Sequence, residues 1–165
     1  MVFGMSLATY TLVHVVISLL GIASGLIVLL GWIARKQYEA WTKLFFLTTI
    51  LTSVTGFGFP FEHLLPSHIV GTISLIVLAI ALVAQYQFHG AGIWRRVYVI
   101  CSTLALYLNV FVLVVQSFLK VPALHAMAPT QKEPPFLIAQ LTVMVIFVVL
   151  GLLAVKKYRV GLATA

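Results

Sequence analysis

The sequence predicts an all-α integral membrane protein: a bundle of five transmembrane helices in one domain, N-terminus outside and C-terminus in the cytoplasm. Three observations lead there. The chain is 62% hydrophobic and only 8% charged, with a mean hydropathy of +1.16, far from soluble averages. Five apolar runs, each approaching or exceeding the ~20 residues that cross a bilayer core as a helix, occupy most of its 165 residues. The basic residues collect between alternate runs, where they read as topology signals.

The runs are residues 10–34, 44–61, 68–88, 97–119 and 136–155. They are continuous, without the alternation of barrel strands, and in lipid only helices or closed barrels satisfy every backbone group. No Lys or Arg precedes Arg35, so the first run lacks the positive flank of a cleaved signal and reads as a retained span. The second run enters GFGFPFEHLLPSH, residues 56–68, where Phe57, Phe59, Pro60 and Phe61 are expected to finish a helix at the outer interface. Ser67 is placed to cap the third helix just before His68. The fourth run holds Cys101, the sole cysteine, which can form neither an intramolecular disulfide nor a CxxC site. Before the fifth comes KVPALHAMAPTQKEPP, residues 120–135, the one connection with room for structure of its own; its four prolines oppose a continuous helix.

Ten Lys and Arg against three acids give +7, which in a soluble protein would suggest a nucleic-acid partner. Here the partner is the lipid bilayer. Arg35, Lys36, Lys43, Arg95, Arg96, Lys156, Lys157 and Arg159 share one side, against Lys120 and Lys132 on the other, so the first group should be cytoplasmic. Trp32, Trp41 and Trp94 flank the same ends as interfacial anchors.

Each helix carries a polar or small stripe. At 100° per residue, Ser18, Gly21 and Gly25 lie within about 40° of His14, and Gly21–Gly25 forms a GxxxG pair suited to close helix approach. His14 should therefore look into the bundle, as an intramembrane ionisable group is expected to. Thr48, Thr52 and Thr55 line the second helix; Ser102, Asn109 and Gln116 share a face of the fourth; Gln140 leads a line through Met144, Phe147 and Gly151 on the fifth. These stripes make either a polar site or interhelical hydrogen bonds.

Four of five histidines belong to the outer half: His14, His63, His68 and His125, with His89 on the cytoplasmic side. Three chemistries suit them. His63, His68 and His125 with Met127 would form a transition-metal set, copper-like with the thioether or zinc-like with Glu62, although the spacing matches no known metal signature. His14 and His68 could clamp a b-type haem. His14 lies ~6 Å deeper by helix rise, which counts against a ready-made axial pair, and the inner tier of histidines found in cytochrome b561-type proteins is missing. A proton-linked or quinone-like role would use the same histidines with the GFGFPF aromatics. Ser18, Asn109, Gln116 and Gln140 would support His14 and His68 by hydrogen bonding.

Other classes find little footing. There is no Asp at all, no GxSxG, no HExxH and no phosphate loop, and Glu39, Glu62 and Glu133 fall in expected loops. Glu62 beside His63 is the one adjacent acid–base pair. An ion-coupled transporter would call for intramembrane carboxylates and inverted repeats. LTSVTGFGFPF, PSHIVGTISL, LYLNVFVLVVQSF and KVPALHAMAPTQKEPPF together resemble a family of small, uncharacterised bacterial multi-span inner-membrane proteins. The resemblance implies a bacterial inner-membrane location and carries over no site residues. The expected function is a histidine-lined pocket in the outer half, binding a metal, haem or quinone-like ligand. The alternative is a non-catalytic scaffold or accessory subunit, working with other membrane subunits, whose polar stripes only pack helices.

Overall fold

A computed structural model describes residues 4–59 and 66–159, and these are helical, without a strand among them. Six helices follow in order: α1 (Leu7–Ile33), α2 (Glu39–Gly56), α3 (Pro66–Tyr86), α4 (Ile93–Lys120), the short α5 (Pro122–Met127) and α6 (Pro134–Lys157). Four of them are long and apolar enough to cross a membrane, namely α1, α3 from His68, α4 and α6, so the chain has the make-up of a multi-pass membrane protein. At 18 residues, α2 is ~27 Å long against a hydrocarbon core of ~30 Å, and its threonines make it the least apolar of these long helices.

Local chemistry sets the ends. Ser6 caps α1 by accepting the Thr9 N–H at 3.1 Å. At its other end Arg35 takes φ 60, letting the Lys36 N–H reach the Gly31 carbonyl at 2.8 Å. α3 closes the same way around His89, at φ 50, with the Gly90 N–H on the Ala84 carbonyl at 2.9 Å. His89 is thus a helix-terminating backbone residue. Pro122 sits at the start of α5, so the connection between α4 and α6 contains one short helix between its prolines.

The expected boundaries of the second and third helices differ. The second helix ends at Gly56, with Phe57 as its C-cap and Gly58 closing a turn onto the Thr55 carbonyl, so Phe57 and Phe59 lie beyond it. It instead begins at Glu39, because hydropathy marks what lipid covers whereas helical hydrogen bonding continues into charged interface; a carboxylate also suits a first turn. α3 begins at Pro66, which puts Ser67 inside the first turn instead of at the cap. Pro60 and Phe61 fall outside the described residues.

The long helices form a closed ring in the order α1, α2, α3, α4, α6, with α4 also reaching across to α1. α1 makes the closest approach. A methyl group added to Gly25 would come within 2.6 Å of Leu106 and 2.8 Å of Phe45; one on Gly21 would meet the Thr48 and Thr49 hydroxyls at 3.2 Å. The core runs from Phe45, Leu29 and Leu106 to Trp32 and Tyr98. α6 is least enclosed and leaves Leu137, Ile138, Leu141, Val145, Val148 and Leu152 exposed, as a lipid-facing helix should. The ends of α1, α3 and α6 and the starts of α2 and α4 meet at one end of the ring, which collects the eight basic residues named above.

Two outcomes follow. Gly25→Ala should destabilise the detergent-solubilised protein by about 1–3 kcal/mol, because Leu106 and Phe45 are buried and cannot yield, whereas Gly56→Ala makes only an ordinary contact, with His14 Cε1 at 3.8 Å. Thermal unfolding reads the difference, and equal stability of Gly25→Ala and the parent would refute the close approach. At the exposed start of α6, slight desolvation pushes the Glu133 carboxyl up. Hydrogen bonds from its own backbone, from Thr130 and from Lys132 outweigh that and leave it below its ordinary 4.5. Its contribution to order is therefore present above the unfolded value and lost as pH falls through the lower folded one. An NMR titration should place the Glu133 midpoint below 4.5; a midpoint above would contradict these hydrogen bonds from Thr130 and Lys132.

Candidate functional site

The end of the ring opposite the basic residues is joined through Thr55, in the last turn of α2. Its hydroxyl donates to the Leu51 carbonyl at 2.6 Å, the usual way a helical threonine spends its one hydrogen. It can then only accept from His14, whose Nδ1 lies 2.8 Å away. This assigns the hydrogen of neutral His14 to Nδ1 and leaves the Nε2 lone pair free of that bond. One turn earlier in α1, the Tyr10 hydroxyl donates to the Thr55 carbonyl at 2.7 Å, satisfying a helix-end acceptor that has no partner within α2.

The two phenylalanines after α2 pack on the two histidines. Phe59 meets the His14 ring edge-on at 5.1 Å and Tyr10 at 5.0 Å. Phe57 lies 5.6 Å from the His68 ring. His68 is buried at 4% exposure, His14 half-buried, and both line one cavity of about 60 Å³. Gly56 and Gly71 supply the remaining space: a methyl on Gly56 would approach His14 Cε1 at 3.8 Å, and one on Gly71 would touch the Phe57 ring at 3.4 Å.

Polar groups from α2, α3 and α4 complete the wall. Ser53 donates to the Thr49 carbonyl at 3.0 Å and meets the Ser74 hydroxyl at 3.1 Å, joining α2 to α3. The Thr52 hydroxyl and the Asn109 amide nitrogen are buried without a hydrogen-bond partner among the described residues, and both residues line the cavity. A space that holds roughly two waters at ~30 Å³ each, bordered by such groups, is a place where water belongs. Drug-sized ligands occupy ~300 Å³ or more, so neither a haem nor a quinone ring fits between these side chains as packed.

The other expected residues divide. Ser18 donates to the His14 carbonyl at 2.7 Å and lines a neighbouring small cavity together with Asn109. Gln140 donates to the Phe111 carbonyl at 3.2 Å and ties α6 to α4, away from the histidines. Gln116, on the Asn109 face of α4 but two turns further out, is exposed. His125 and Met127 are exposed on α5 and do not line the cavity; Glu62 and His63 lie outside the described residues. Among the described residues, no three His, Cys, Asp or Glu side chains come together to hold a metal ion.

Thr55 is the neighbour that sequence reasoning missed as a site residue, while Phe57 and Phe59, expected to contact a quinone-like ring, pack on the histidines themselves. Their signal was present in the threonine stripe and in the alternating glycines of GFGF, but only the turn after Gly56 aims each ring at a histidine. The arrangement fixes one imidazole by its Nδ1–H and keeps a second beside it, which allows proton exchange or coordination at nitrogen.

Replacing Thr55 with Val should release the His14 ring. Ring ¹⁵N spectra at pH 8 should report the Nδ1–H tautomer in the parent and a mixture in the variant; an Nε2–H tautomer in the parent would contradict the assignment. No protein-family model, curated protein or solved structure matches the chain, so the arrangement around His14 and His68 is what supports a functional reading.

Proposed function

We propose that the protein is a bacterial inner-membrane bundle of five spans, N-terminus outside, whose His14–His68 cavity holds a small polar ligand, and that a first-row transition-metal ion is the occupant of best fit. Support for the fifth span comes from α2 running antiparallel beside α1 throughout: Tyr38 lies against Gly31, Phe45 against Gly25, Thr48 against Gly21 and Thr55 against His14. Support for the orientation comes from the basic end of the ring, since Lys and Arg favour the cytoplasmic side.

The observation that carries the ligand reading is the convergence of two imidazoles from different helices on one cavity the size of about two waters. Imidazole suits zinc, copper, nickel and iron. The Thr55 bond supplies the outer partner that a metal-bound histidine usually has on its other nitrogen, leaving Nε2 as donor. Among the described residues no third His, Cys or carboxylate joins the pair, so water and neutral oxygens would fill the remaining positions, which favours an exchangeable ion over a structural one.

A second reading, a non-catalytic scaffold, draws on the hydroxyl groups. Ser18, Ser24, Thr48 and Thr72 each donate to a carbonyl of their own helix, so much of the polar striping is locally satisfied and serves packing.

His14→Ala and His68→Ala separate the two. Titration of the full chain in detergent with Co(II), Ni(II), Cu(II) and Zn(II) should show one bound ion, with affinity at least about tenfold weaker in each variant and thermal unfolding of the metal-free protein little changed. Loss of folding without any metal binding in the parent would instead make the site a packing element.

A further inference from the structure

At the opposite, basic end of the ring lies a second cavity of about 390 Å³, within the ~300–1,000 Å³ range of ligand sites. Its floor is aromatic. Trp32, Phe46, Tyr98 and Tyr158 are buried, with Trp32 5.2 Å from both Tyr98 and Tyr158 and Tyr98 6.1 Å from Phe46. The Tyr98 hydroxyl lies within electrostatic range of those of Tyr86 and Tyr158. Arg95 reaches the Tyr158 carbonyl at 2.6 Å and holds the end of α6 over this floor.

Two features define what would fit. Gln85 lines this cavity, and its side-chain oxygen is buried with no hydrogen-bond partner among the described residues, so it calls for a donor. Lys43 stands on the rim, within an end that also gathers Arg35, Lys36, Arg95, Arg96, Lys156, Lys157 and Arg159; one carboxylate, Glu39, opposes them. That excess of positive charge disfavours an organic cation despite the aromatic floor and favours an anion. Phenol hydroxyls and an ammonium donate to an anion's oxygens; Gln85 accepts.

We propose that this cavity binds a phosphate ester carrying a free hydroxyl, the headgroup chemistry of an anionic glycerophospholipid, with the phosphate towards Lys43 and the tyrosine hydroxyls and the free hydroxyl donating to Gln85. Basic recesses between helices at the cytoplasmic face are where such headgroups bind, and Trp32 and the tyrosines give the site the interfacial aromatics that go with it. The same chemistry is available from a soluble sugar or glycerol phosphate.

The test uses the full chain in detergent, without added metal, in native mass spectrometry with phosphatidylglycerol and phosphatidylcholine of identical acyl chains. Phosphatidylglycerol should be retained about fivefold more tightly, the effect of roughly one basic group at a membrane surface. Gln85→Leu, which deletes the unpartnered oxygen, should abolish the preference while leaving lipid-free thermal stability unchanged or raised. Tyr158→Phe keeps the ring and should weaken the preference independently. Competition by glycerol 3-phosphate would identify a soluble source; a preference that glycerol 3-phosphate leaves intact would identify the bilayer, and both outcomes support the site. Equal retention of the two lipids, or a preference that both variants keep, would overturn it, whatever the metal titrations at His14 show.

Discussion

The close approach of α1 to its neighbours is the constraint on which the rest depends. Lipid offers helices no hydrophobic reason to associate, so contact has to come from shape, and Gly21 and Gly25 provide it. With Leu106 and Phe45 fitted against Gly25, α1 lies along both α2 and α4. That register places His14 opposite Thr55 and Tyr10 opposite the end of α2. A methyl at Gly25 acts on the cavity at His14 and His68 through this register, without touching it.

The two ends of the ring differ in a way that follows from what each is made of. The cavity at His14 and His68 is small because side chains close it: Phe57 and Phe59 turn back after α2 and pack on His68 and His14. The basic end is roomier because its floor is built from large rings on four separate segments, which cannot pack without leaving space between them. Hydroxyls along the middle of the helices are satisfied largely by their own backbones, so the polar groups left without a partner mark the places where a bound molecule or water gains most.

Much of the fold was legible because lipid imposes simple rules. Apolar runs marked the helices, the four-residue spacing of Gly21 and Gly25 marked a contact face, and His14, on that same face, lines a cavity as its angle implied. Angle alone says nothing of height or of what covers a face, which is why Gln116, in line with Asn109, stands exposed while Gln140 spends its amide on α4. Phe57 and Phe59 were assigned to the end of a helix, yet their role depends on a turn whose direction no periodicity encodes. The basic-end cavity was illegible for a related reason: Trp32, Phe46, Gln85, Tyr98 and Tyr158 come from well-separated stretches, each ordinary by itself.

The central claim is that both histidines face the interior of the bundle, each against its own phenylalanine. Solid-state NMR of the ring-labelled protein in bilayers tests it directly, through the correlations between histidine and phenylalanine rings. The structure requires contacts of His14 with Phe59, at 5.1 Å between ring centres, and of His68 with Phe57, at 5.6 Å. Correlation of either imidazole with lipid acyl chains, in place of its phenylalanine, would contradict it.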